Sequence, residues 1–174
     1  MINKYFAGIG SRETPPLILG EMKKLAAILE KDGYTLRSGG AKGADTWFAR
    51  GCDNAQIWLP WNDFNSWERN DKHTYKIIDP NDELANETVN KFHPVGSTLK
   101  GKVRLLMMRN TYQILGVNEP NSEFVICWTE GGQEIGGTSQ AIRIARHYKI
   151  PVYNMFNLTN EQILKEIAKL NLLQ

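Results

Sequence analysis

Short apolar runs alternate with amphipathic segments along most of this chain. The runs at residues 5–9, 34–36, 57–59, 123–128 and 151–154 are each bounded by glycine, proline or polar residues, which is typical of buried strands. Most of the intervening segments place apolar residues three and four positions apart, as on one face of a helix. This order predicts an α/β fold, a three-layer Rossmann-like domain with a mainly parallel sheet.

The region 60–100 has a weaker pattern and is expected to be a less regular insertion or lid. It predicts one short helix at about 82–92, and it carries Trp61, Phe64 and Trp67 among polar residues. These aromatic side chains would either stack on a base or form a small core against the edge of the sheet. The second interpretation is favoured, because aromatics this frequent in a loop usually need burial.

Length and composition narrow the class of protein. A chain of 174 residues fits one domain, residues 1–174, and its net charge of +2 neither requires nor excludes nucleic acid. Cys52 and Cys127 lack metal-ligand spacing and predict buried thiols in a reducing compartment. The sequence shows neither a signal peptide nor a bilayer-length apolar run, so we expect a cytoplasmic protein without membrane contact. We expect no metal and no cofactor.

Three predicted strand-to-helix turns, at 8–14, 38–45 and 131–138, are rich in glycine and hydroxyl residues. In a parallel sheet such turns meet at one edge, where ligands bind. Their backbone N–H groups and the helix dipoles suit a phosphate, and the signal is centred on 38–45. An ordinary glycine turn is the alternative. The spacing fits neither a P-loop nor the dinucleotide G-x-G-x-x-G turn, which disfavours a dehydrogenase.

Four motifs, in order and spacing, resemble those of the SLOG superfamily. The similarity spans about residues 4–154 and is greatest to the Rossmann-like domain of the DNA-processing protein A family (DprA/Smf). It extends more distantly to the LOG nucleoside-phosphate hydrolases, and the chain also resembles small proteins encoded by bacteriophages. The motifs are Gly10-Ser11-Arg12, Ser38-Gly39-Gly40-Ala41-Lys42-Gly43-Ala44-Asp45, Arg109-Asn110 and Gly136-Gly137-Thr138.

The resemblance implies a homodimer that binds a nucleotide, a nucleotide-derived ligand or single-stranded DNA. Together with the glycine-rich turns, it predicts a set of residues that bind the ligand and its phosphate. These residues are Gly10, Ser11, Arg12, Ser38, Gly39, Gly40, Lys42, Gly43, Asp45, Arg109, Asn110, Gly132, Gly136, Gly137 and Thr138.

Two other functions stay open. LOG enzymes cleave the N-glycosidic bond of a nucleoside 5'-monophosphate, but Ala141 stands where their pattern has a glutamate. Hydrolysis would need another carboxylate, from Glu13, Asp45, Glu130 or Glu134, and each of these is otherwise a solvated or helix N-terminal acid. No catalytic residue is therefore assigned. The other alternative is a phage protein that sequesters a nucleotide second messenger.

Binding of single-stranded DNA would require a basic groove. The alternative for each cation is an ordinary solvated surface position, since the net charge is small. No additional winged-helix domain is evident after the Rossmann-like domain. The candidates for the groove are Arg37, Lys42, Lys100, Lys102, Arg104 and Arg109.

Overall fold

The computed structural model describes residues 3–66 and 69–172. Strands and helices alternate along most of the chain, as the apolar pattern predicts, except between residues 55 and 115, where two strands are followed by two helices. Their order along the chain is β1 (Lys4–Gly8), α1 (Pro16–Lys31), β2 (Tyr34–Ser38), α2 (Ala44–Ala49), β3 (Ala55–Leu59), β4 (Thr74–Ile77), α3 (Glu83–Phe92), α4 (Gly101–Leu115), β5 (Phe124–Cys127), α5 (Gly136–His147), β6 (Val152–Asn154) and α6 (Asn160–Asn171).

Within the described residues, six strands form one sheet in the order β4-β3-β2-β1-β5-β6, and every neighbouring pair is parallel. The chain moves outward from β1 to β4, and β5 then pairs on the other side of β1. The strand order thus reverses between β1 and β5. In an open parallel sheet, the loops that follow two such strands diverge and leave a crevice at their carboxyl ends.

Helices cover both faces of the sheet. Alternate strand residues point to opposite faces: Phe6 and Leu36 pack on the side of α1, α2 and α6, and Ala7 and Val125 pack on the side of α4 and α5. The central strands are buried on both sides, which explains why their sequences are mainly apolar. The buried polar side chains of β2, Arg37 and Ser38, have hydrogen-bond partners within the protein. The predicted three-layer Rossmann-like fold is confirmed.

The region 60–100 contains the helix that the sequence predicts at about 82–92, which is α3, and one strand that it does not predict, β4. Strand β4 pairs with β3 at the edge of the sheet, where its residues are half-buried or exposed, so it lacks an apolar pattern. Helix α3 begins at Glu83, and the side chain of Asp82 caps it by accepting a hydrogen bond from the Ala85 N–H at 2.7 Å. Trp67 lies outside the described residues.

Both cysteines are buried, as the sequence predicts. Burial raises the pKa of the Cys52 and Cys127 thiols to about 12, so both are protonated at neutral pH. In the described ranges, no helix has the length and apolarity that a bilayer crossing needs. No group of three or more His, Cys, Asp or Glu side chains within those ranges is placed to hold a metal ion.

The guanidinium of Arg37 is fully buried beside the sheet, and the expectation that it lines a basic groove is wrong. It donates to Glu119 Oε2 at 2.8 Å, to the Pro120 carbonyl at 2.6 Å and to Gln56 Oε1 at 2.7 Å. Lys76 also pairs with Glu119. A buried charge is tolerated only with such partners, so this arginine stabilises the fold and is unavailable to a ligand.

Glu119→Gln is expected to destabilise the protein by roughly 3 kcal/mol at pH 7, because it leaves a buried cation without its counter-charge. Burial raises the pKa of Glu119, but hydrogen bonds from Lys76, Gln56 and Arg37 outweigh it and lower the pKa from 4.5 to about 2. The stabilisation is therefore complete above the unfolded-state pKa and is lost as pH falls through about 2. Urea unfolding of both proteins at several pH values measures this difference.

The matched control for this experiment is Glu161→Gln, which breaks an exposed ion pair with Lys165 on α6. We expect this control to leave stability nearly unchanged. A stability difference between wild type and Glu119→Gln that stays constant down to about pH 2 would contradict the ion-pair explanation.

Candidate functional site

A cleft of about 540 Å³ opens beyond the carboxyl ends of β1 and β5, where the strand order reverses. Its volume lies in the range of small-molecule sites. The loops after β1 and β5 form two sides, and the middle of α4 and the first turn of α5 form the others. The lining residues are Ile9, Gly10, Ser11, Arg12, Glu13, Ala41, Asp45, Leu106, Met107, Arg109, Asn110, Gln113, Thr129, Glu130, Ile135, Gly136, Gly137 and Thr138.

The structure brings together most of the predicted ligand-binding residues around this cleft. Those that line it are Gly10, Ser11, Arg12, Asp45, Arg109, Asn110, Gly136, Gly137 and Thr138. The remaining predicted residues do not line it: Ser38, Gly39, Gly40, Lys42, Gly43 and Gly132.

The turn at 38–45 supports the cleft from behind, because partners within the protein already occupy much of its backbone. Asp45 Oδ2 accepts a hydrogen bond from the Ala41 N–H at 3.2 Å. The Ala44 N–H, at the start of α2, donates to the Ser11 carbonyl at 3.4 Å. These N–H groups are not available to cradle a phosphate.

Two glycines of this turn are required by packing. Gly40 has φ of +65°, and a Cβ there would lie 3.0 Å from Leu59 Cδ2. Gly43 has φ of +80°, and a Cβ would lie 2.8 Å from the Arg12 Cα and the Ser11 carbonyl oxygen. Only glycine lets the two turns approach this closely.

Ser38, Lys42 and Gly132 lie away from the cleft in different environments. Ser38 is fully buried, and its hydroxyl donates to the Gly8 carbonyl at 2.7 Å. Lys42 is exposed on the outside of its turn. Gly132 packs against the loop that follows β6, and a Cβ on Gly132 would lie 2.8 Å from Asn157 Nδ2.

Arg109 is the buried cation of the cleft, with 8% of its surface exposed. Its Nη1 donates to the Gly39 carbonyl at 2.8 Å, and its Cζ lies 5.5 Å from the centre of the Phe64 ring. A Cβ on Gly39 would lie 2.6 Å from Arg109 Cζ and 2.9 Å from Asp45 Oδ2, so the cation and the carboxylate lie together over this glycine.

Burial and mutual attraction oppose each other in this pair. Burial lowers the pKa of Arg109 and raises the pKa of Asp45, while the charge of each residue counteracts the shift of the other. Arg109 keeps its proton at neutral pH because an arginine pKa is far above 7. Its Nε has no hydrogen-bond partner among the described residues.

The first turn of α5 opens directly into the cleft. The helix begins at Gly136 and has no side-chain cap, because Ile135 occupies the N-cap position. The first-turn N–H groups, including those of Gly137 and Thr138, have no acceptor inside the helix. Asn110 Nδ2 donates to the Gly137 carbonyl at 3.2 Å and ties this turn to α4. An uncapped helix start of this kind attracts an anion.

Gln113 is a cleft residue that the motifs did not indicate. It follows Arg109 by four positions and Asn110 by three on α4, so helical spacing places all three on one face. That spacing was the available signal. The apolar lining from Leu106 and Met107 precedes them on the same helix.

The candidate carboxylates occupy different positions. Glu13 and Glu130 line the cleft and are exposed, and Asp45 is buried beside Arg109. Glu134 does not line the cleft and pairs with Arg146. Ala141 is fully buried in the core, behind the first turn of α5.

Arg104 is the second residue, after Arg37, that does not fit the basic groove expected from the sequence, because its guanidinium is hydrogen-bonded within the protein. Its guanidinium donates to the Asn86 side chain at 2.8 Å and to the Gly96 carbonyl at 2.9 Å. Lys100 and Lys102 remain exposed at the start of α4, and Lys102 Nζ lies 5.0 Å from the centre of the Trp61 ring. Helix α4 therefore carries one buried cation in its middle, Arg109, and two exposed cations at its start, Lys100 and Lys102.

Trp61 and Phe64, the described aromatic pair in the loop after β3, mainly pack against each other and the core. Phe64 is buried in the core, and its ring meets Trp61 edge to face, with centroids 5.1 Å apart. Phe64 contributes to the cleft indirectly, because it lies against the guanidinium of Arg109.

No protein-family model matches this sequence, and no curated protein matches it. Among solved structures, the fold is similar to that of DNA processing protein A from Helicobacter pylori, which has been described for its single-stranded DNA binding mode. The TM-score is 0.56 at 18% sequence identity, over 96% of this chain and 74% of the other. This similarity confirms the part of the expected resemblance that concerns fold, a DprA-like, Rossmann-like arrangement.

Gly39→Ala is expected to destabilise the protein by roughly 2–4 kcal/mol, because the added methyl group would displace the buried Arg109 and Asp45 side chains. Chemical denaturation measures the loss. The control is Gly20→Ala in α1, where a Cβ meets nothing within 4 Å. That change should stabilise the helix by about 0.5–1 kcal/mol. Equal stability of the two variants would show that Arg109 and Asp45 can pack together without a glycine at position 39.

Proposed function

We propose that this protein binds a nucleotide unit in the cleft, with the phosphate at the first turn of α5, and that single-stranded DNA supplies this unit. One observation carries the proposal: an uncapped helix start, Gly136–Thr138, faces a cleft that also contains the buried cation Arg109. Backbone N–H donors and a guanidinium at the same cleft form a suitable environment for a phosphate.

The remaining lining suits the rest of a nucleotide. Ile9, Leu106, Met107 and Ile135 supply apolar surface beside the polar end of the cleft. A ligand that carries an anion at one end and a flat, weakly polar ring at the other complements both parts. The volume of about 540 Å³ accommodates one such unit, and it does not enclose a strand of several nucleotides.

Two observations favour a strand over a free nucleotide. Lys100 and Lys102 are exposed at the start of α4, outside the cleft, where they would contact further phosphates of a chain. The similar protein from Helicobacter pylori binds single-stranded DNA. A free nucleotide, including a second messenger, is the alternative for the same cleft.

The cleft supports binding more than N-glycosidic hydrolysis. The glutamate of the LOG pattern is replaced by Ala141, which is buried and contributes nothing to the lining. Glu13 and Glu130 are exposed rather than enclosed with the ligand, and the buried carboxylate, Asp45, already accepts the Ala41 N–H and neutralises Arg109. Base release from nucleoside monophosphates would restore the enzyme interpretation.

Gly137→Asp is expected to separate binding from stability. A carboxylate in the first turn of α5 interacts favourably with the helix dipole, so the stability of the protein should be maintained or raised. The same carboxylate repels a phosphate that binds to these N–H groups. We expect at least a tenfold loss of affinity for deoxynucleoside 5'-monophosphates and for a thymidine oligonucleotide, measured by calorimetry.

The control is Gly137→Ala, whose Cβ would lie 3.3 Å from the flexible Met107 Cε and adds no charge. Its affinity should stay within a fewfold of wild type. If Gly137→Asp folds and binds both ligands as tightly as Gly137→Ala does, the phosphate is not at α5.

Salt dependence is expected to distinguish a strand from a free nucleotide. Binding of an oligonucleotide of about 20 residues should weaken with salt by about −0.7 log unit per log unit for each phosphate contacted. The pair Lys100→Ala/Lys102→Ala should therefore reduce this slope by about 1.4, while affinity for a mononucleotide stays unchanged. Fluorescence anisotropy at several salt concentrations measures both quantities.

The control pair is Lys165→Ala/Lys169→Ala on α6, which packs on the other face of the sheet. It removes the same charge and should leave the slope unchanged. If the oligonucleotide binds no more tightly than a mononucleotide at low salt, a free nucleotide is the ligand.

A further inference from the structure

We propose that the side-chain amide of Gln113 recognises the edge of the nucleobase at the floor of the cleft. The inference rests on the proposed nucleotide function and adds to it the group that is read and the residue that reads it. It makes Gln113 the residue that separates base-bearing ligands from other sugar phosphates.

The first observation is that this amide is buried without partners. Gln113 is 1% exposed and lines the cleft, and neither Oε1 nor Nε2 has a hydrogen-bond partner among the described residues. Its backbone carbonyl is satisfied, because it accepts the Ser122 hydroxyl at 2.7 Å. Buried polar groups in folded proteins are nearly always paired, so an amide with both ends unpaired at a cleft points to a partner from outside the chain.

The neighbouring amides of Asn110 and Gln140 pair with each other, although Gln140 Nε2 also lacks a partner among the described residues. Asn110 Nδ2 donates to Gln140 Oε1 at 2.7 Å and to the Gly137 carbonyl, so this pair fastens α4 to α5. Gln113 lies on the same face of α4 but takes no part in that fastening. A structural function that explains Asn110 therefore does not explain Gln113.

The position of Gln113 relative to the phosphate end fits a nucleotide. Asn110 contacts Gly137 at the first turn of α5, and Gln113 lies three residues further along α4, a rise of about 4.5 Å. A ligand that places its phosphate at α5 would extend toward Gln113 with its other end. Ile9 lies in the same cleft and offers an apolar surface to a ring face.

The chemistry of the amide selects the class of ligand. A primary amide presents one donor and one acceptor side by side, and the edges of nucleobases present complementary adjacent pairs. A bare sugar phosphate has no such planar edge. Recognition by Gln113 therefore adds affinity only for the base-bearing ligand.

The test uses calorimetry to compare the wild-type chain, residues 1–174, with Gln113→Met, an unbranched apolar replacement of similar size. The probes are the four deoxynucleoside 5'-monophosphates and 2-deoxyribose 5-phosphate. We expect Gln113→Met to bind at least one of the monophosphates about 10- to 100-fold more weakly and the sugar phosphate within about twofold of wild type. The unliganded variant should also melt at a higher temperature, because it removes two unpaired buried polar atoms.

Three outcomes would overturn the inference. Unchanged affinity of Gln113→Met for every monophosphate would mean that Gln113 is satisfied by solvent or by the protein. Equal wild-type affinity for the sugar phosphate and the monophosphates would mean that the base is not read, although phosphate binding would stand. If the wild-type protein binds neither the probes nor an oligonucleotide, the proposed function itself is wrong.

A measurement on the wild type keeps the test independent of folding of the variant. In ¹⁵N-labelled protein, the Gln113 side-chain NH₂ signals should shift when a deoxynucleoside monophosphate is added and stay in place with 2-deoxyribose 5-phosphate. NH₂ signals that do not respond to any monophosphate at saturation would contradict recognition by this amide.

Discussion

The buried pair of Arg109 and Asp45 over Gly39 sets the shape of this end of the molecule. Removing a guanidinium from water is unfavourable unless a counter-charge and acceptors replace the water. Asp45 provides the charge, the Gly39 carbonyl provides an acceptor at 2.8 Å, and Phe64 lies against the guanidinium. Two of these groups, the Gly39 carbonyl and the Asp45 carboxylate, come from the turn at 38–45. That turn consequently serves as the support of Arg109, and we propose that a phosphate binds instead at the helix start across the cleft.

The topology of the sheet decides which turns can meet a ligand. The strand order reverses between β1 and β5, so the loops after these strands diverge and the cleft lies between them. The turn after β2 is one strand removed and contributes only Ala41 and Asp45 to the lining. An uncapped α5, a buried cation and an unpaired Gln113 amide then line one cavity from α4 and α5, two helices on the same face of the sheet.

Local pattern predicted most of the fold. Strands β1, β2, β3 and β5 follow from their apolar runs, because strands buried on both faces are rich in apolar residues. Strand β4 was missed because it lies at the edge, where polar and apolar residues mix. The fate of Arg37 could not be predicted, since its counter-charge Glu119 is 82 positions away in sequence and approaches only in the folded sheet.

The candidate site was also predictable only in part, because local motifs do not show which groups pair in the folded protein. The motifs indicated Arg109, Asn110 and Gly136–Thr138, all of which line the cleft. They also indicated 38–45, where sequence shows the glycines but not that Ala41 and Ala44 N–H groups already have acceptors. Gln113 was accessible through helical spacing alone, yet its importance depends on unpaired atoms that only coordinates reveal.

We propose that the ligand's phosphate lies at the start of α5. Backbone amide signals in ¹⁵N–¹H correlation spectra, recorded while a deoxynucleoside 5'-monophosphate is added, test it most directly. Hydrogen bonding to an anion shifts the signals of the donating N–H groups, so we expect the largest shifts at Gly136, Gly137 and Thr138, with smaller changes through 38–45. Largest shifts within 38–45, with the first turn of α5 unchanged, would contradict it.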